Sequence, residues 1–402
     1  MRVGIIGLGK LGLPVAVSMA IKGHDVLGYD HNPARMSKNP QEFVEVGPDG
    51  YGDFNEILAQ SEFLSFASDL NDIAAHSEII FLAIQTPHDP MFEGVTPLPE
   101  DRKDFDYTYL KQAVKDLMKV IRPGTLVVVI STCLPGTMRR EILPMVPKGV
   151  DFIYNPFFIA MGTVMRDFLR PEFVLIGTDN RKSAYKLISF YRTVIERNCE
   201  YKVMSIESAE LTKVAYNTFI SFKIGFVNLL MEICDRFAFA DVDDVTGALK
   251  CASDRLISPA YLNGGMGDGG GCHPRDNIAM SWLARDRGLS FDLFEAVMQL
   301  RENQAHWLAC TMLHYKRAFG GKLDLVIYGT AFKPGTKITT GSSALLVHSI
   351  LEKIGEKVIL MDPVIGPDCP PDFPAVILLG CNHPGSDKIE WPKGSEIGRA
   401  HV

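Results

Sequence analysis

The sequence predicts an α/β protein: an N-terminal Rossmann-like domain on a doubly wound parallel sheet, a central long-helix segment, and a smaller C-terminal Rossmann-like α/β domain. Three observations predict it. Short β-branched runs alternate with helical patterns over the first ~90 residues, the mark of βαβ units. An apolar pattern then runs without proline from about Glu207 to Ala238, and the strand–helix alternation restarts near Leu325. At 402 residues the chain exceeds one compact core, since domains typically run ~100–200 residues. The expected domains are 1–204, 205–305 and 306–395.

In the first domain, Arg2–Ile6 reads as a strand, Leu13–Ile21 as a helix, and Asp25–Tyr29 and Ile79–Ile84 as strands. Leu126–Ile130, an unbroken apolar run after Pro123-Gly124, reads as a strand buried on both faces. A strand at Val174–Gly177 and a helix over Ser183–Arg197 complete this domain. Ser205-Ile-Glu-Ser-Ala-Glu opens the long helix with acidic residues at the positive end of its dipole. Being apolar on more than one face, that helix needs a second cover, so it is also a candidate subunit interface. Gly264–Pro274 reads as a glycine-dense loop before a helix over Ile278–Arg285. In the third domain Leu325–Tyr328 is a strand, Gly329–Gly335 a turn and Ser342–Ile354 a helix. Lys357–Met361 is a strand ending at Asp362, and Val376–Leu379 is another. The last seven residues, Glu396–Val402 (EIGRAHV), match what a common sequencing adapter encodes in one frame. They are set aside from the fold reading as a non-native tail.

Composition narrows the function. A hydrophobic content of 47% with 22% charged residues excludes a disordered or collagen-like chain. Lys and Arg total 41 against 48 Asp and Glu, a net charge of −7, which argues against a sequence-independent nucleic-acid binder. No apolar run reaches the ~18 residues that span a bilayer, and the N-terminus reads as a strand entering a turn rather than an export signal. The eight cysteines are scattered without a CxxC pair. The expectation is reduced thiols in a cytoplasmic protein, with no metal site.

Gly7-Leu8-Gly9-Lys10-Leu11-Gly12 is a G-x-G-x-x-G run directly after a strand and before a helix. The first glycine makes the tight turn, the second admits a pyrophosphate, and the third lets helix pack on strand. The helix N-terminus supplies free N–H groups for the phosphates. Asp30, ending the next strand, is placed to accept both ribose hydroxyls and would repel a 2′-phosphate, so NAD is expected over NADP. Arg35 nearby is the feature that would suit NADP. A glycine-rich turn can also be purely structural; the strand, helix and carboxylate together favour the cofactor.

Cys272, in Gly267-Asp-Gly-Gly-Gly-Cys-His-Pro-Arg-Asp276, follows a run of glycines and precedes His and Arg, a setting that can expose and activate a thiol. Most cytosolic cysteines are instead small buried apolar residues. Lys213 and Asn217 lie four apart on the long helix, hence on one face, and could donate to an oxygen acquiring negative charge. A solvated helix face is the plainer reading, although Leu211, Val214, Ala215 and Phe219 around them would draw the pair inward. Ser131-Thr132 falls at the carboxyl edge of the sheet, where ligands of open α/β sheets bind.

Six blocks occur in one order along nearly the whole chain: GLGKLGLP (Gly7–Pro14), Gln85-Thr-Pro87, STCLPGT (Ser131–Thr137), ELTKVAYNTF (Glu210–Phe219), GDGGGCHPRD (Gly267–Asp276) and AFKPGT (Ala331–Thr336). In these the chain resembles the UDP-glucose/GDP-mannose dehydrogenase family. The resemblance implies oxidation of the C6 alcohol of a nucleotide sugar, UDP-hexose by default, to a carboxylate with two NAD per product. It implies that Cys272 adds to the aldehyde and that hydride loss from the thiohemiacetal leaves a thioester that water cleaves. Lys213 and Asn217 match the oxyanion-stabilising pair, and Asp276 and Thr132 match residues that hold or activate water. The implied cofactor set is Gly7, Gly9, Lys10, Leu11, Gly12, Asp30, Arg35, Thr86 and Thr132. The implied substrate set adds Arg255, Tyr261, Asn263, Gly269 and Lys333 to Lys213 and Asn217, with Arg255 close to the position of an arginine donated by a neighbouring subunit. The resemblance also implies a homodimer or higher homo-oligomer and a place in polysaccharide biosynthesis, and no nucleic-acid or membrane partner is expected.

The chain departs from the family pattern in three places. Asn155-Pro-Phe-Phe-Ile-Ala-Met-Gly162 puts Phe157 and Met161 where the family carries glutamates, one of which is held to assist thioester hydrolysis. Lys337, Ile338 and Thr340 replace two aspartates and an arginine near the cofactor. Lys10 and His273 replace aromatic or apolar residues. These changes leave two other readings open: a single-step alcohol dehydrogenase, and a catalytically idle NAD- or nucleotide-sugar-binding paralogue.

Overall fold

In the computed structural model, residues 1–38, 45–97, 99–234, 238–253, 267–286, 292–366 and 371–399 are described. They group into two compact units, Met1–Pro87 with Phe105–Val214, and His88–Asp104 with Ala215–Val402.

The first unit contains β1 (Arg2–Ile6), α1 (Gly12–Ile21), β2 (Asp25–Tyr29), α2 (Phe54–Gln60), β3 (Leu64–Phe66), α3 (Leu70–His76) and β4 (Ile79–Leu82). These are followed by α4 (Thr108–Met118), β5 (Leu126–Val129), β6 (Asp151–Tyr154), α5 (Val164–Leu169), β7 (Phe173–Gly177), α6 (Arg181–Val194) and β8 (Glu200–Met204). Eight strands form one sheet in the order β3-β2-β1-β4-β5-β6-β7-β8. Six of them, in the order 3-2-1-4-5-6, form the dinucleotide-binding arrangement, with its topological switch between β1 and β4. The sheet is not wholly parallel: β7 runs antiparallel to β6 through the Tyr154–Gly177 pair, and β8 follows β7 in parallel. Burial of β1, β4 and β5 on both faces explains their unbroken apolar runs. Leu8, Leu13, Val15, Phe81 and Val128 share the core with Phe168, Leu187 and Phe190 from the helices.

Helix α7 (Ile206–Cys234) begins in the first unit. The Ser205 hydroxyl accepts from the Ser208 N–H at its start. The second unit continues with α8 (Val242–Cys251), α9 (His273–Asp286) and α10 (Leu293–Ala318). It ends with β9 (Asp324–Tyr328), α11 (Ser343–Lys353), β10 (Val358–Met361), β11 (Ala375–Leu379) and β12 (Glu396–Arg399). These four strands form a parallel sheet ordered β10-β9-β11-β12. One face packs Leu325, Ile327 and Val376 against Leu308, Met312, Leu346 and Leu351. On the other, Tyr328 meets Trp391 edge-on at 5.3 Å.

Several boundaries differ from expectation for physical reasons. Helix α9 starts at His273 rather than Ile278. Pro274 is at home in a first helical turn, where its missing N–H leaves no bond unmade. The segment set aside from the fold reading pairs with β11 as edge strand β12, from Val376–Glu396 to Leu379–Arg399. Backbone pairing of that kind needs no particular side chains. His88–Asp104, which the sequence reading left inside the first domain, groups with the second unit. Arg102 pairs there with Glu295, and the Gly94 carbonyl accepts from Arg301.

Candidate active site

The first unit carries a dinucleotide cradle. Gly7 sits at φ +94°, a backbone conformation that favours glycine, and the Gly7 N–H donates to the Tyr29 carbonyl at 2.8 Å. A Cβ on Gly12 would lie 1.8 Å from the Gly7 carbonyl oxygen, so the third glycine is what allows α1 to close on the turn. At Gly9 the nearest neighbour to such a Cβ is an Arg35 guanidinium nitrogen at 3.7 Å, leaving the mouth of the turn open beside a cation. Lys10 and Leu11 follow at the rim, Lys10 exposed and Leu11 half-buried. Asp30 is buried at the end of β2. Its Oδ2 accepts the Leu8 N–H at 2.8 Å and lies 3.6 Å from Arg35, while Oδ1 accepts the Asn32 N–H at 2.9 Å. The carboxylate thus holds the turn's shape, with Oδ1 also 3.2 Å from Nδ1 of the exposed His31, at the strand end where a ribose would reach it. At the sheet's carboxyl edge the Thr86 hydroxyl donates to the Thr132 carbonyl at 2.8 Å, bringing the two predicted threonines together. An open turn, a helix N-terminus, a cation and a strand-end carboxylate fit NAD.

Lys213 is 8% exposed, with Nζ 5.1 Å from the centre of the Phe158 ring. One turn earlier on α7, the fully buried Glu210 accepts the Gly136 and Met138 N–H groups at 2.6 and 2.7 Å. It thereby ties the STCLPGT turn to the helix. Burial outweighs those two bonds and raises its carboxyl to about 7. Phe157 packs on Phe168, their rings 5.3 Å apart, and Met161 also packs against the core. Neither position offers a group that can carry a proton.

The second unit holds the thiol. Cys272, half-buried, caps α9, its carbonyl accepting the Asp276 N–H at 2.8 Å. Asp276 is fully buried on the first turn. Its Oδ2 accepts from Asn217 Nδ2 at 2.5 Å, and its Oδ1 accepts from Arg275 at 3.1 and 3.2 Å. Asn217 is therefore buried and held by a carboxylate rather than solvated, although of the apolar neighbours expected to draw it inward Val214 is buried while Leu211 and Phe219 are exposed. The glycine run lies against the AFKPGT turn. A Cβ on Gly269 would meet Phe332 at 3.0 Å, and one on Gly270, at φ +79°, would meet the same ring at 2.8 Å. The Gly270 N–H donates to the Thr340 carbonyl at 3.0 Å. Gly269 and the turn bearing Lys333 are thus brought together. Arg255, Tyr261 and Asn263 lie outside the described residues.

Sequence reasoning missed two features here. Asp268 and Arg301 form a buried ion pair of 2.7 Å, their side chains 4% and 5% exposed. Arg301 also donates to the carbonyls of Gly94 at 2.6 Å and Gly341 at 3.2 Å. An aspartate inside a glycine run was the available signal, since a charge there demands a partner. In the C-terminal sheet Asp362 repeats the part of Asp30. It accepts from the N–H groups of Thr330 and Ala331 at 2.6 and 3.0 Å and sits 3.3 Å from His383 Nε2. The Val364 N–H, with those of Thr330, Ala331 and Ile365, holds its carboxyl at about 2 despite burial. Among the described residues no cluster of potential ligands could hold a metal ion, and no helix is long and apolar enough to cross a membrane.

Comparison with known proteins finds relatives along most of the chain. Residues 1–195 match the NAD binding domain of the UDP-glucose/GDP-mannose dehydrogenase family, and residues 207–303 match its central domain. The UDP-glucose 6-dehydrogenase TuaD of Bacillus subtilis is 28% identical over 376 residues, 91% of this chain and 77% of that protein. A UDP-glucose 6-dehydrogenase of Rickettsia bellii is 26% identical over 370 residues, 90% of this chain and 81% of that protein. The structure of a UDP-glucose dehydrogenase from Pyrobaculum islandicum superimposes with a TM-score of 0.83 at 26% identity, covering 100% of this chain and 94% of that one. A UDP-D-ManNAc dehydrogenase from Pyrococcus horikoshii, at 21% identity and a TM-score of 0.80, covers 100% of this chain and 99% of that one and shares the fold.

Proposed function

We propose, because the chain belongs to the UDP-glucose/GDP-mannose dehydrogenase family, that it oxidises the C6 alcohol of a nucleotide sugar, UDP-glucose first among candidates, to the acid with NAD as oxidant. The observation that carries this reading is Cys272 at the start of α9, one turn before a buried aspartate already holding Asn217 and Arg275.

Bound NAD, held by Gly7–Gly12, Asp30, Arg35, Thr86 and Thr132, would take up the hydride lost from C6 at each of two oxidations. The chain's own groups do the rest. The Cys272 thiol adds to the C6 aldehyde, and the resulting alkoxide needs donors whose positions are fixed beforehand. Asn217 Nδ2 is held by Asp276, and Lys213 is held against Phe158, so neither must reorganise as charge develops. Loss of hydride from the thiohemiacetal leaves a Cys272 thioester, which water cleaves. Lys333 and the N–H groups of the glycine run would hold the diphosphate.

The exposed rings of Tyr216, Phe219, Phe222 and Phe226 on α7 support a second copy of the chain as a partner. Lysine substitution at Phe222 would then lower the assembly mass measured by light scattering. The function is tested by NADH absorbance with a panel of UDP-, GDP- and dTDP-sugars. Two NADH per acid are expected, and Cys272→Ser should abolish acid formation while leaving NAD affinity intact. One NADH per product, or unchanged acid formation in that variant, would overturn the reading.

A further inference from the structure

The thioester proposed above must be cleaved by water, and a water attacking a carbonyl must lose a proton to a nearby acceptor. Asp276 is poorly suited to that task. Both of its oxygens accept from Asn217 and Arg275, and the residue is fully buried. A carboxylate so engaged holds other groups in place.

Within the same unit, His88 lies within electrostatic range of Arg275 and Asp276. It opens the segment that groups with the second unit, directly after Gln85-Thr-Pro87. That segment runs along the first turn of α9: a Cβ on Gly94 would lie 2.8 Å from Pro274, and Arg301 fastens the Gly94 carbonyl. The His88 ring interacts electrostatically with Arg275 and Asp276 of α9 and with its own neighbour Asp89. Both ring nitrogens are buried, and neither has a hydrogen-bond partner among the described residues. A buried imidazole in that condition forgoes about 1–3 kcal/mol for each unmade bond, and a catalytic role is one of the explanations such a group admits. Burial and the Arg275 charge push it down to about 4, which leaves the ring neutral at physiological pH with one nitrogen able to accept.

We infer that His88 is the proton acceptor for hydrolysis of the Cys272 thioester. Its ring nitrogens are buried with no partner among the described residues, and the ring lies within electrostatic range of Arg275 and Asp276, on the turn of α9 that Cys272 caps. The oxygen of water bonds to the thioester carbon while its proton passes to the free ring nitrogen of His88. The carbon–sulfur bond then breaks, the electron pair leaves on Cys272 Sγ, and the imidazolium returns the proton to the thiolate. No electrons are exchanged with any other group.

This inference rests on the proposed function for its physiological substrate, but its test does not. Acetylation of Cys272 by p-nitrophenyl acetate, followed by peptide mass spectrometry, reads deacylation without NAD or sugar. His88→Asn should acetylate Cys272 at the wild-type rate and lose the acetyl group about 100-fold more slowly, with an unchanged unfolding temperature. His88→Gln provides a second variant of similar bulk. With NAD and UDP-glucose, His88→Asn should release a burst of two NADH per site and then stall with an adduct on Cys272. Wild-type deacylation rates in both variants would overturn the inference, as would equal slowing of acylation and deacylation, which marks a structural role. Absence of NADH with every nucleotide sugar, together with slow deacylation in His88→Asn, would sink the proposed function and leave His88 standing.

Discussion

Replacing Arg301 with methionine should destabilise the second unit more than any other single change on α10. The guanidinium meets Asp268 at 2.7 Å, and both side chains are about 95% shielded from solvent, with 4% and 5% exposed. Methionine keeps most of the volume and removes the charge, leaving Asp268 buried without its cation. Breaking one side of a buried pair costs about 3–5 kcal/mol, because the remaining charge keeps its desolvation penalty and loses its attraction. Two further bonds to the Gly94 and Gly341 carbonyls disappear with it. Hydrogen exchange of the α9 and α10 amides during urea unfolding measures the loss. Asp268→Leu combined with Arg301→Met should recover most of it, since no uncompensated charge remains. A single variant within about 1 kcal/mol of wild type, or a double variant no better than the single, would refute this account of the pair.

Three other outcomes follow from the geometry. Asp30→Ala should weaken NAD by roughly 10- to 100-fold, the worth of a charge-assisted bond, as read by calorimetric titration; unchanged affinity would show that the carboxylate only shapes the turn. Lys213→Ala should lower turnover by about 100-fold with little change in KM if the ammonium meets developing charge, whereas an effect confined to KM would make it a binding residue. Glu210, raised by burial from an ordinary 4.5 to about 7, binds more protons folded than unfolded between those values. Its contribution to stability is therefore greatest below pH 4.5 and falls by roughly 3 kcal/mol as pH rises to 7. Glu210→Gln should flatten that slope in a series of urea titrations, and parallel curves for the two proteins would contradict it.

The glycine turn that opens the NAD-binding domain was legible because its logic is local. Gly7, Gly9 and Gly12 answer to a turn whose geometry depends on a few consecutive dihedral angles, and Asp30 follows at the end of the adjacent strand. Periodicity likewise located β1, β2, β4 and β5 and the long α7, since strand and helix burial repeat at fixed spacings. The start of α9 was misplaced because the glycines and Pro274 read as loop, although a proline in a first turn costs a helix nothing.

Other features have no sequence-local cause. That Asn217 is held by Asp276, that Asp268 finds Arg301, and that His88 comes within electrostatic range of Arg275 all depend on segments distant in sequence meeting in space. Charged and polar residues along a chain announce only that they need water or a partner. Which one each receives is decided when the apolar faces close, because only then does losing water make an unpaired group costly. The residue types and their order therefore identified the family, while packing assigned Asp276 to holding Asn217 and Arg275 and left the His88 ring without a partner among the described residues.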